Sequence, residues 1–286
     1  DEQIPRRVGR PRTMLELIPT AGYAIGVHIG VGLFRVAITD LFARILGNRI
    51  VEYNVDRSAD AVLGHIAAEI DSIIAESGID SDKIIGIGVG ASGLVNHERG
   101  LNVLAPRLGW QNVDVREALY PLRPVTVDNN VRAMAIGEAF FGAGKDVDAL
   151  AFVYGRVGVG AGFVINGEVY RGSGAGAGEI GHTIMRPEGG RPCRCGQKGC
   201  LETLVSESII IEKAEKIAAQ HPESLVARYL NRENADPLES IFAAARQGDQ
   251  RTRAMITNQM RYLGIALASL INMLNPKMIL LGGMFA

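Results

Sequence analysis

The sequence predicts an α/β protein made of two similar halves, and three observations lead there. Patterns in the order βββαβ open the chain, and a second βββ run with helices and a closing strand follows. Glycine-containing turns recur at matching places in the two runs. The 286 residues suffice for two such units, since single cores stop growing near about 250–300 residues. Two α/β domains facing each other across a cleft are the actin-like, ribonuclease H-like architecture. Residues 21–130 are assigned to the first domain and 131–286 to the second, which also holds a cysteine-rich loop.

The elements follow in order. Residues 23–29, 33–39 and 41–51 read as three strands joined by tight turns. Ser58 is placed to cap a helix over 58–76, with Val62, Leu63, Ile66, Ile70, Ile73 and Ile74 on one face. The β-branched run 83–89 reads as a parallel strand buried on both faces. A short strand at 124–127 then feeds a helix over 130–141. In the second half, strands at 149–154 and 160–165 precede Asn166-Gly167, a strong hairpin-turn signal, and Val169-Tyr170 begins the return strand. Helices are predicted over 206–220, 237–247 and 250–274; Pro276 ends the last, and 277–281 is a further buried strand.

Composition narrows the function classes. Apolar content of 47% and charge of 21% describe an ordinary globular chain, and a net charge of −1 excludes a globally basic nucleic-acid surface. No apolar run approaches the roughly 20 residues that cross a bilayer, so a cytoplasmic protein without membrane partners is expected. Residues 1–20 read as a basic linker, with Arg6, Arg7, Arg10 and Arg12 and three prolines. Within it, Gly9-Arg10-Pro11-Arg12 faintly resembles a minor-groove AT-hook core, though a solvated linker accounts for so short a match. The absent initiator Met and the halt after a buried-looking strand at Gly282-Gly283 lead us to expect further segments at both ends.

The densest chemistry lies between Glu179 and Glu202. All three cysteines, Cys193, Cys195 and Cys200, fall within eight residues, with His182 upstream and a glutamate on each flank. Three thiols and an imidazole are the ligand set of a closed structural Zn²⁺ site. Gly196 and Gly199 let the chain turn tightly enough to bring Cys195 and Cys200 round one ion. An odd cysteine count with no signal peptide argues against a disulfide framework, and C-x-C spacing is not a thioredoxin-like redox motif. His221 stands as a more distant alternative for the fourth ligand.

Other candidate sites are turns. Gly26-Val27-His28-Ile29-Gly30-Val31-Gly32 and Arg156-Val157-Gly158-Val159-Gly160-Ala161-Gly162 are glycine-rich turns able to cradle phosphate, or to serve any tight hairpin. Gly90-Ala91-Ser92-Gly93 and the run 172–178 let backbone approach a ligand closely. Asp128-Asn129-Asn130 lies between a strand and a helix, the crevice position for ligands in α/β sheets; a helix cap at Asn130 is the alternative reading of the same residues. Asn, Glu and His together suit sugar hydroxyls, which both donate and accept. Trp110 is assigned to core or inter-domain packing.

From about Tyr23 to Gly283 the chain resembles the ROK family, which groups bacterial sugar kinases with sugar-responsive transcriptional repressors. The resemblance rests first on Gly178-Glu179-Ile180-Gly181-His182 and on Cys193-x-Cys195-Gly-x-x-Gly-Cys200-Leu201-Glu202. It is supported by Asn129 with Gly137-Glu138-Ala139, by Leu108-Gly109-Trp110, and by Asn275-Pro276 with Leu281-Gly282-Gly283. The stretch from Gly9-Arg10-Pro11 to Leu15-Glu16-Leu17 looks like the linker that follows a winged helix-turn-helix in the family's repressors. The resemblance implies zinc on His182, Cys193, Cys195 and Cys200. It also implies sugar contacts from Glu179, His182, Glu202, Asn129 and the backbone near Gly93.

Departures from the kinase pattern fall on phosphoryl transfer. The family's kinases place an Asp base where this chain has Asn130, and an amide orients a hydroxyl but takes no proton from it. Their Asp-x-Gly-Gly-Thr turn reads His28-Ile29-Gly30-Val31-Gly32 here, and the Thr of their second turn corresponds to Val157. The expected function is therefore the sugar-sensing and oligomerisation core of a repressor. Its partners would be a sugar, operator DNA through an N-terminal domain, and further copies in a homodimer or homotetramer; no ATP is expected. The alternatives are an ATP-dependent sugar kinase with Asp128 as a displaced base, and a zinc-ribbon nucleic-acid module using Arg186, Arg191, Arg194 and Lys198.

Overall fold

A computed structural model describes residues 16–54, 58–120 and 123–286. The arginines at 6, 7, 10 and 12 and the Gly9-Arg10-Pro11-Arg12 match lie outside the described residues.

Strands β1 (Tyr23–Ile29) and β2 (Leu33–Asp40) form an antiparallel hairpin, and β3 (Ile45–Glu52) pairs with the far edge of β2. Alternation drives this: Ile25, Val27 and Ile29, with Phe34, Val36 and Ile38, all point into the core. Helix α1 (Ala59–Ser77) lays Val62, Leu63, Ile66, Ile70 and Ile73 on the same core. The Ser58 side chain accepts from Ala61 N at its start, and Gly78 ends it in the left-handed region at φ 67°. Strand β4 (Ile84–Ala91) then returns parallel to β1.

Three short strands, β5 (Leu94–Asn96), β6 (Leu101–Ala105) and β7 (Trp110–Asp114), make a separate antiparallel sheet that is not among the elements expected from the sequence. Trp110 is 3% exposed within the first core, as its assignment to packing expected. After α2 (Val115–Leu119), strand β8 (Val125–Asn129) pairs parallel with β4 and completes the sheet order β3-β2-β1-β4-β8.

Helix α3 (Asn130–Phe141) leads to β9 (Ala149–Gly155), β10 (Val159–Ile165) and the two-residue β11 (Glu168–Val169). The β10–β11 turn is Asn166-Gly167, with φ of 53° and 80°, the left-handed pair a tight hairpin requires. Beyond the cysteine loop come α4 (Glu202–Val205), α5 (Glu207–Gln220), α6 (Leu225–Leu230), α7 (Pro237–Arg246) and α8 (Gln250–Leu274), then β12 (Met278–Gly283). β12 runs parallel to β9, so the order β11-β10-β9-β12 repeats β3-β2-β1-β4. The duplication expected from the sequence is therefore present in the pairing itself.

Helix α3 joins the halves. It packs on β4 and β8 of one sheet and on β9 and β10 of the other. Gly162 makes the approach possible, since a Cβ there would sit 2.6 Å from the Ala135 Cβ.

Several element boundaries differ from expectation by one to four residues, and two of them have a local cause. The strand predicted from 41 begins only at Ile45, because Asp40 Oδ1 accepts from Phe42 N at 2.9 Å and Arg44 N at 3.0 Å, closing a turn with Ala43 at φ 57°. The helix predicted from 206 starts at Glu207, because Ser206 is extended and separates α4 from α5.

Candidate functional site

The two glycine-rich turns occupy equivalent positions in the duplicated sheets, as the β1–β2 and β9–β10 hairpins. In the first, Gly30 N donates to Leu33 O at 3.0 Å. His28 stands opposite Arg35 in the strand register, and its Nδ1 is buried without a hydrogen-bond partner among the described residues. Burial, aided by Arg35 and Arg156, lowers its pKa, so a neutral imidazole occupies the position of a kinase carboxylate. In the second hairpin, Arg156 pairs with Glu207 at 3.4 Å.

Asn129 caps α3, its Oδ1 accepting from Val131 N at 2.8 Å and Arg132 N at 3.2 Å. The sequence reading offered Asn130 for this cap; the cap is Asn129, because Asn129 has the extended backbone (φ −62°, ψ 141°) that a capping residue needs. Its Nδ2 donates to Gly93 O at 2.9 Å. Asn130, the first helical residue, donates from Nδ2 to Ser92 Oγ at 3.2 Å and accepts from Val131 N at 2.9 Å. Gly93 sits at φ 102°, where a Cβ would overlap Ala105 and the Leu104 carbonyl. Thus Gly93, Asn129 and Asn130 form one cluster at the ends of β4 and β8.

Glu179, His182 and Glu202 form a second cluster. His182 Nε2 lies 3.8 Å from Glu179 Oε2, and its Nδ1 lies 4.0 Å from Glu202 Oε1. Burial raises the Glu179 pKa and nearby Glu202 adds to this, while His182 and Arg132 oppose it. Gly178, at φ 89°, brings this segment against β10: Ala161 N donates to Gly178 O at 2.7 Å, and a Cβ on Gly178 would overlap the Ala161 carbonyl oxygen. Gly178→Ala is accordingly expected to destabilise the fold by about 2 kcal/mol or more, measured by urea unfolding.

Arg132 stands between the clusters, and sequence reasoning missed it. It is 1% exposed; Nε donates to Asp128 Oδ1 at 2.6 Å, and its other nitrogens reach Val95 O at 2.9 Å, Ala175 O at 3.1 Å and Ala177 O at 3.4 Å. Arg171 Nε takes the other oxygen of Asp128 at 2.9 Å, and Asn129 N shares Oδ1 at 2.7 Å. Both carboxylate oxygens of Asp128 are thus engaged by guanidinium groups. The signal available in sequence was an Arg four residues after an Asp across the strand-to-helix junction.

The cysteine loop brings its four predicted ligands together. One donor atom from each of His182, Cys193, Cys195 and Cys200 lies within 4.8 Å of all the others. Cys195 and Cys200 sulfurs are 3.6 Å apart, and Cys193 Sγ is 3.5 Å from His182 Nδ1. Ligands about 2.3 Å from a tetrahedral ion stand roughly 3.8 Å from one another, so the donor set fits. Burial holds the Cys193 and Cys200 thiols above the usual range, and a bound dication is what would convert them to thiolates. His221 is not in the group. His182 Nδ1 faces Cys193 Sγ, while Nε2, on the far side of the ring, lies 3.8 Å from Glu179 Oε2, too long for a hydrogen bond.

Comparison with known proteins follows this geometry. The ROK family pattern matches residues 24–286. The xylose repressor of Caldicellulosiruptor bescii is 30% identical over 278 residues, covering 96% of this chain and 69% of the repressor. A solved ROK family transcriptional regulator, a homologue of the Escherichia coli Mlc protein, superposes with a TM-score of 0.83 at 31% identity over 93% of this chain and 66% of that one. A ROK family glucokinase from Streptomyces griseus, solved with glucose and AMPPNP, gives a TM-score of 0.80 at 29% identity over 92% of this chain and 83% of that one. The chain therefore spans about two thirds of the regulator's length and matches repressors and kinases alike. Among the described residues no helix is long and apolar enough to cross a membrane. Sequence pattern, fold and site agree that this chain belongs to the ROK family.

Proposed function

We propose that the chain is the sugar-binding effector and oligomerisation core of a ROK transcriptional regulator, and that it transfers no phosphoryl group. One observation carries the reading. At the position of the kinase base stands Asn130, and the adjacent carboxylate, Asp128, already spends both oxygens on Arg132 and Arg171. A base must reach its proton; Asn130 is an amide, and Asp128 is buried at 4% exposure with a guanidinium group on each oxygen.

In this reading Glu179 and Glu202 accept from sugar hydroxyls, while Asn129, Asn130 and backbone near Gly93 bind the opposite side. Zinc on His182, Cys193, Cys195 and Cys200 braces the glutamates, and His182 turns its Nε2–H to the ligand. Sugar closes the halves about α3 and thereby shifts the operator affinity of the whole regulator, a cytoplasmic homodimer or homotetramer. ATP has no role.

The kinase reading keeps one support, the likeness to the glucokinase solved with glucose and AMPPNP. Two measurements separate them. Calorimetry on zinc-loaded protein is expected to detect binding of at least one of D-xylose, D-glucose or N-acetyl-D-glucosamine. A coupled ADP-release assay with the same sugars is expected to stay at background. Turnover abolished by Asp128→Ala in a folded variant would establish the kinase instead.

A further inference from the structure

The Asn130 amide has one orientation. Its Oδ1 faces the Val131 N–H at 2.9 Å, and turning the amide over would set two donors against each other. Nδ2 must therefore face Ser92, whose Oγ accepts from it at 3.2 Å. Ser92 Oγ makes no other hydrogen bond among the described residues, so its own hydrogen is left for a partner from outside. Nδ2 likewise keeps a second N–H. Ser92 and Asn130 are both partly exposed, so a ligand can reach them.

The turn holding Ser92 is rigid. Ser92 N donates to Ile29 O at 2.9 Å, Ser92 O accepts from Asn102 Nδ2 at 2.9 Å, and Gly93 O accepts from Asn129 Nδ2 at 2.9 Å. Next in the chain to Asn129, Asp128 is fixed by two guanidinium groups, Arg132 and Arg171.

We infer that Ser92 is a ligand-binding residue, that Asn130 positions it as a hydrogen-bond donor, and that the pair selects a sugar whose group at this point acts as an acceptor. The inference rests on the sugar-binding reading above. An aspartate at 130 would do the opposite: its carboxylate would accept from Ser92 and from the sugar hydroxyl, which would then have to donate. The exchange of Asp for Asn thus reverses the hydrogen-bond polarity at one sugar position as well as removing a base.

Fluorinated sugars read this polarity directly, because a C–F group accepts weakly and cannot donate, whereas a deoxy carbon does neither. The probe is whichever of D-xylose, D-glucose or N-acetyl-D-glucosamine binds most tightly, with its monodeoxy and monodeoxyfluoro series, titrated by calorimetry. At one carbon the fluoro sugar is expected to bind within about threefold of the parent and the deoxy sugar about tenfold more weakly. In Asn130→Asp, which places a favourable carboxylate at a helix N-terminus, the fluoro sugar is expected to fall about tenfold below the parent. In Ser92→Ala the fluoro and deoxy sugars should converge. A role limited to holding the turn would weaken all analogues equally and leave their ranking intact. Parent binding with fluoro and deoxy sugars equal in the unsubstituted protein, or with its ranking retained in Asn130→Asp, overturns this proposal alone. Failure of every parent sugar to bind overturns it together with the sugar-binding reading.

Discussion

Arg132→Met is expected to lower folding stability by about 3–5 kcal/mol, the cost of removing one partner from a buried ion pair. Methionine fills the same space but takes one of the two guanidinium groups from buried Asp128, which keeps Arg171 and the Asn129 N–H, and it leaves Val95 O, Ala175 O and Ala177 O without this donor. In thermal unfolding this is a fall of roughly 10 °C, at about 2–4 °C per kcal/mol for a large domain. Arg171→Met is the control, because its guanidinium is 34% exposed and water can replace it; its expected cost is about 1 kcal/mol. The difference in burial decides between two arginines on one carboxylate. Equal costs for the two variants would mean that Arg132 is no more than a surface-type pair. Because Arg132 spans β5, β8 and the run leading to Glu179, its loss should also weaken sugar binding by more than the stability change alone explains.

Arg132 also marks where sequence reading stopped. Its carbonyl partners lie 37, 43 and 45 residues away, and nothing local announces a contact at that separation. Residues 23–29 and 250–274 were legible because alternation and a long helical period need no distant partner to be seen. Strands β5 to β7 were not: Gly93, Gly100 and Gly109 punctuate them, the first has three residues, and their pairing is fixed by the fold around them. The cluster of His182 with the cysteines was legible because three of its four members share one loop. At Asp128-Asn129-Asn130 the sequence placed the junction of a strand and a helix, which the structure has between β8 and α3. Which asparagine caps the helix is a matter of one ψ angle, and no residue pattern decides it. The polarity of Ser92 was hidden for a related reason, since it depends on how a neighbouring amide is turned.

Chelation of zinc is the second large effect expected. The loop between His182 and Glu202 belongs to no sheet; its regular pairing consists of isolated bridges, Ile184 with Cys200 and Pro192 with Lys198. The bidentate pair Arg191–Glu212, at 2.5 and 2.7 Å, ties it to α5, but both side chains are exposed and such pairs contribute little. A metal shared by His182, Cys193, Cys195 and Cys200 would add to the loop's own backbone bonds, among them Met185 N to Gly199 O at 2.8 Å and Leu201 N to Thr183 O at 2.9 Å. At free zinc about 1,000-fold above the dissociation constant it would supply about 4 kcal/mol, so removal should lower the unfolding temperature by roughly 10 °C. Cys200→Ser should reproduce the loss and abolish the response to added zinc. Metal analysis finding no zinc in the purified protein, with unfolding unchanged by chelator, would remove zinc from this account. Glu202→Gln separates brace from pocket. Glu202 Oε1 lies 3.1 Å from Cys193 Sγ yet is outside the four-ligand group, so the variant should keep one zinc per chain. Its sugar affinity should nevertheless fall about tenfold, because the amide replaces one of two charged accepting oxygens with an NH2 that donates. If zinc and sugar binding were lost together in that variant, Glu202 would be a metal ligand, and the wall assigned to the sugar would belong to the ion.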